Sequence, residues 1–138
     1  MDVLPDWDDG TVAVLSTGAG PPHAIPVSTA VRLGPRTIVL ALARRRESLT
    51  RLRADPEVAL TFLARAVACT AYARATVTQD PLPGAERVAA VRLDVHTLQD
   101  HRQPGFAMDD AVRWHWTDPE AEARDGEVRA LLRRTAGG

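Results

Sequence analysis

Apolar and polar positions along the chain change rhythm several times, and each change marks an element. Residues 11–17 are rich in β-branched and aliphatic side chains and run into the Gly/Pro cluster at 18–22, a strand followed by a turn. Residues 23–33 alternate: Ile25, Val27, Thr29, Val31 and Leu33 fall on one face of a strand, and Pro26, Ser28, Ala30 and Arg32 on the other. Pro26 lacks an N–H for a ladder, which places its strand at a sheet edge or a bulge. After Gly34 and Pro35, residues 37–43 form a third strand. Period two then stops. Residues 44–55 read RRRESLTRLRAD, with Leu49 and Leu52 three apart and Pro56 as a stop, which predicts a short helix capped near Glu47 or Ser48.

Strand character returns at 58–63 and, after a break at Arg65 and Ala66, at 68–78. In the latter, Cys69, Ala71, Ala73, Ala75 and Val77 make a row of small residues suited to close packing. A loop at 80–84 leads to a strand at 88–98 with Val91, Leu93 and Val95 inward and Arg92, Asp94 and His96 outward. Residues 99–110 lack a period and are expected to connect in solvent, and 112–116 reads as a last strand. Asp118 and Pro119 have the form of an N-cap and first helical residue. The helix they open reaches about Arg134, with Val128, Leu131 and Leu132 as a thin apolar stripe. The fold class expected is mainly β: a six- to seven-stranded antiparallel split barrel, with one short helix after the third strand and one at the C-terminus. One domain over 1–138 is expected, with a core at about 10–98 and a C-terminal strand and helix at about 111–135.

Composition narrows the chemistry. At 45% hydrophobic and 25% charged residues, the balance is that of a folded domain. A net charge of −1 gives no general pull toward nucleic acid or an anionic membrane. No apolar run reaches the roughly 20 residues that cross a bilayer, and the acidic first ten residues do not resemble a secretory signal. A cytoplasmic location is the expectation. All 17 basic residues are arginine, so no lysine can form a Schiff base and anions must be held by arginine, hydroxyls or backbone N–H groups. Cys69 stands alone, which excludes an internal disulfide, and its expected role is a small buried hydrophobe.

The segment GTVAVLSTGAGPPHAIPV at 10–27, followed by TIVLALARRRESLTRLRADPEVALTFL at 37–63, resembles the flavin-binding split-barrel family of pyridoxamine 5'-phosphate oxidase and its small relatives. The resemblance covers about Gly10 to Val95, and its most specific part is LRADP at 52–56 with the strand behind it. It implies a homodimer with a flavin in a groove between subunits and the phosphate near the helix after the third strand. Helix N-termini suit that placement, since their first N–H groups are unpaired and carry partial positive charge. Carried onto this chain, the resemblance makes Arg44, Arg45, Arg46, Ser48 and Arg51 candidates for the phosphate, with Thr50 as a further hydroxyl. Pro26, Val27 and Ser28 become candidates for the ring and ribityl chain, and His23 a possible ring or substrate contact. Family members commonly carry a lysine or arginine where Glu47 and Ser48 align, and Glu47 would repel phosphate unless an arginine neutralises it.

The function implied is an FMN- or deazaflavin-dependent oxidoreductase passing hydride to or from a small conjugated substrate, with the chemistry carried by the cofactor. The alternatives are a non-catalytic cofactor carrier, a sensor, a haem-binding relative, or a dimeric interaction module. The catalytic residues are unknown. No metal is expected, because the spacing of His96, His101 and His115 matches no ligand motif. Trp114 and Trp116, on one face of the supposed last strand, are read as core, interface or a platform beside the flavin.

Overall fold

The computed structural model describes residues 1–136. Its elements run β1 (Ala13–Thr17), β2 (His23–Val27), β3 (Val31–Gly34), β4 (Thr37–Ala43), α1 (Glu47–Ala54), β5 (Glu57–Ala64), β6 (Val67–Gln79), β7 (Val88–Asp100) and α2 (Pro119–Ala136). The strands form one antiparallel sheet in the order β2-β1-β5-β6-β7-β4-β3, the mainly β architecture expected. Pro26 lies on β2, a terminal strand of that order, where a missing N–H costs no internal ladder bond. The sheet curls because β6 and β7 are long and bulged: their register shifts between Tyr72 and Ala73 and again between Val77 and Gln79.

Inward rows from β1, β2, β4, β5, β6 and β7 meet in one apolar cluster. The small row Cys69, Ala71, Ala73 and Ala75 lies within it, which lets the walls approach closely. Leu49 and Leu52 of α1 join the same cluster. A second cluster lies outside the barrel, where Leu132 of α2 covers Val31, Val39, Ala41 and Ala90. β4 is therefore buried on both faces, Ile38, Leu40 and Leu42 inward and Val39 and Ala41 under α2, which explains its unbroken apolar run.

Four expectations are corrected. Residues 23–33 are two strands, not one, interrupted at 28–30. Thr29 causes the break: its hydroxyl donates to the Ala41 carbonyl at 3.1 Å and accepts the Ala41 N–H at 3.0 Å, standing in for a ladder partner. The interruption shifts the phase, so Ile25 and Val27 enter the barrel while Val31 and Leu33 face α2. The short helix consequently follows the fourth strand. Residues 112–116 form no strand; Val112 is 63% exposed, and the segment has no buried face to share with a ladder. The Trp114 indole packs on the N-terminal turn instead, its Nε1–H donating to the Gly10 carbonyl at 3.0 Å, and Trp116 meets it edge to face. Finally, β7 extends two residues beyond 98.

The acidic N-terminal segment contributes more than its composition suggests. Leu4 is buried, and Trp7 lies over Phe62 with ring centroids 4.3 Å apart while its Nε1–H donates to the Ala30 carbonyl. No helix among the described residues is long and apolar enough to cross a membrane.

Candidate functional site

A small cleft of about 170 Å³ opens where β2 ends, beside the end of β4 and the start of α1. Pro26, Val27, Ser28 and Thr29 form one wall, Ala41 to Ala43 another, and Arg46 closes it. The break at 28–30 turns the chain away here, and the alanines of β4 leave space where larger side chains would fill it. Val27 is buried in the barrel and so offers the cleft its backbone, whereas Pro26 is exposed and Ser28 half-buried. Thr29, Ala41 and Ala43 were not among the expected site residues. The alanines alternating with Leu40 and Leu42 were a legible sign of room on one side of β4.

Arg46 is the N-cap residue of α1, with extended backbone (φ −68°, ψ 138°), and no side chain caps the first turn. The Leu49 N–H is bonded to the Arg46 carbonyl at 3.1 Å, which leaves the N–H groups of Glu47 and Ser48 to meet an anion. The arginines divide. Arg44 is taken: its Nε lies 2.5 Å from Oδ1 of Asp80, while Arg53 donates to Oδ2 at 2.7 Å. Hydrogen bonds from Arg53 and then Arg44 hold the Asp80 carboxyl below its usual range. Arg45 and Arg46 are exposed and form no ion pair among the described residues.

Ser48 and Arg51 face the other way. Ser48 is fully buried, its hydroxyl 3.1 Å from Nε2 of His23. Nδ1 of His23 lies 3.5 Å from Glu47, so the tautomer with Nδ1–H facing that carboxylate leaves Nε2 to accept the Ser48 proton. Arg51 sits 3.5 Å from the other Glu47 oxygen and donates to the carbonyls of Ala19 and Pro21 at 2.5 and 2.6 Å. It clips the β1–β2 turn to α1 and neutralises Glu47, the residue whose charge would otherwise oppose a phosphate. Thr50 is exposed on the helix.

The remaining histidines are apart. His96 pairs with Glu57 at 2.9 Å, and His101 lies 2.7 Å from the Thr70 hydroxyl. Among the described residues no three His, Cys, Asp or Glu side chains gather as metal ligands. Cys69 is buried; burial chiefly, aided by the nearby Asp100 charge, pushes its thiol up to about 11.

No protein-family model and no curated protein matches this sequence. Solved structures do match its fold. A Lactobacillus delbrueckii protein assigned as a pyridoxamine 5'-phosphate oxidase superposes with a TM-score of 0.57 at 17% identity, covering 64% of this chain and 84% of its own. An F420 reductase matches at 0.57 and 11% identity, covering 70% of this chain and 98% of its own. The flavin reductase PheA2 matches at 0.54 and 12% identity, over 68% and 81%. At these identities the likeness establishes the fold, the split barrel that these oxidase-like and reductase proteins share.

Proposed function

We propose that the chain binds a phosphorylated flavin-type cofactor, FMN or a deazaflavin, in the cleft between β2, β4 and α1, and acts as an oxidoreductase on a small conjugated substrate. The observation that carries this reading is the meeting of Pro26, Val27, Ser28 and Arg46 at an uncapped helix start, on a fold shared with flavin reductases. The residues fit such a ligand. Arg45 and Arg46 with the first N–H groups of α1 supply charge-assisted donors for a phosphate, and the β2 end supplies apolar surface and a serine hydroxyl for the ring side. Ser48 and Arg51 then act behind the site, fixing the turn and Glu47, and Arg44 belongs to the Asp80 link.

A cleft of about 170 Å³ is below the roughly 300 Å³ where small-molecule pockets usually begin. The rest of the ring's enclosure is assigned to a second copy of the chain, a homodimer. Bound there, the cofactor supplies hydride chemistry; this chain's residues bind it, orient it and exclude water. Among the described residues Arg46 is the sole ionisable group lining the cleft, and arginine does not exchange protons near neutrality, so those residues offer no acid or base there. That same observation favours a second reading, a cofactor carrier or sensor without turnover. Titrating purified protein with FMN, riboflavin and a phosphorylated deazaflavin tests the binding. Saturable binding of one phosphorylated ligand supports the site, and none at micromolar concentration removes it. Steady-state reduction of a dye by the loaded protein then separates reductase from carrier.

A further inference from the structure

A larger groove, about 690 Å³, lies between the N-terminal turn, the 111–116 segment and the first turns of α2. Its walls include Trp114 and Trp116, whose ring centroids are 5.1 Å apart at an interplanar angle of 76°. The two indoles meet edge to face at nearly right angles, a corner in which part of the Trp114 ring surface stays exposed, and π-faces attract cations. One wall of the corner is held in place. Trp114 is tied by its Nε1–H to the Gly10 carbonyl, and Gly10 lacks the Cβ that would meet the indole at 3.1 Å. Trp114 nonetheless remains 40% exposed.

The charges around the corner have one net sign. Both arginines of the groove are already engaged, Arg129 with Asp125 and Asp9, and Arg113 with Asp110. The carboxylates of Asp8 and Glu122 line the same groove and have no hydrogen bond or ion pair among the described residues. A volume of this size is that of a small-molecule site.

We propose that the groove walled by Trp114 and Trp116 binds a small free organic cation with a quaternary ammonium head. Such a head is bulky, apolar at its surface and unable to donate hydrogen bonds. The exposed aromatic surface suits its methyl groups, and the carboxylates of Asp8 and Glu122 in the same groove balance its charge. The site stands independently of the flavin reading, because none of the residues that carry it lines the β2–β4 cleft.

Calorimetric titration of the whole protein at about pH 8, above the ordinary histidine range, tests the proposal with choline, ethanolamine and the neutral isostere of choline in which carbon replaces nitrogen. Choline should saturate and bind about tenfold tighter than either analogue, a margin within reach of cation–π attraction. Tryptophan fluorescence should change along the same curve. Equal binding of the neutral isostere, or no saturation by choline at millimolar concentration, overturns the assignment. Trp114→Leu should abolish the preference; because it also removes the bond to Gly10, Glu122→Gln on the exposed face of α2 gives the milder check and should weaken choline several-fold. Unchanged binding in both variants contradicts the site. Sedimentation with phosphatidylcholine vesicles separates a free ligand from a lipid headgroup: protein left in the supernatant supports the free cation, and pelleting overturns it.

Discussion

The guanidinium of Arg44 lies 2.5 Å from the carboxylate of Asp80, which also accepts Arg53 at 2.7 Å, so one acidic side chain holds the β4–α1 junction to the loop after β6. Its ionised form is the form that binds. The folded-state pKa of Asp80 is depressed by Arg53 and Arg44, and that of Asp100 falls to about 2 through Arg102. A carboxylate depressed on folding adds stability above its unfolded pKa and loses it as pH falls through the folded one. Stability should therefore decline progressively as pH drops below the unfolded aspartate value of about 4 toward about 2. Urea midpoints measured across that range check it. Asp80→Asn should flatten part of the decline; an unaltered acid limb would contradict the role given to this link.

Leu132 anchors α2 over the outer face of β3 and β4, fully buried on a helix whose other side is polar. Leu132→Ala should cost about 2–4 kcal/mol, the transfer term plus the cavity left behind. Chemical denaturation at constant m-value measures this. A cost within experimental error would mean that α2 does not depend on that contact.

Ala66, in the two-residue connection between β5 and β6, has φ of +58°, a conformation that disfavours a side chain. Relief of that strain outweighs the extra unfolded-state freedom of glycine, so Ala66→Gly should raise stability by about 0.5–1 kcal/mol. Thermal melts of the pair decide the sign. A lower melting temperature for the variant would rule this out.

The barrel strands were readable because their burial follows local period two along β5, from Ala71 onward in β6 and from Val91 to His96 in β7, while β4, buried on both faces, shows a continuous apolar run. Two failures share a different cause, a side chain bonding where a backbone partner was assumed. Thr29 replaces a ladder bond with its hydroxyl, and Trp114 bonds to Gly10, more than a hundred residues away in sequence. Neither partner is visible in a local window. Leu4 and Trp7 were missed for a related reason, two apolar residues among four aspartates whose burial depends on the barrel end they close. For the site, residue types pointed to an anion-binding helix start, but the assignment of each arginine needed geometry. Asp80 claims Arg44, the β1–β2 turn claims Arg51, and Arg46 is left at the cleft.

That division supplies the most direct test of the functional reading. FMN and riboflavin should be titrated in parallel against the natural protein, Arg46→Ala and Arg44→Ala. Loss of one charge-assisted phosphate contact should weaken FMN about tenfold or more in Arg46→Ala and leave riboflavin nearly unchanged. Arg44→Ala, which breaks only the Asp80 link, should bind both ligands like the natural protein while melting at lower temperature. Equal loss of FMN and riboflavin in Arg46→Ala, or an FMN-selective loss in Arg44→Ala, would contradict the proposed phosphate site.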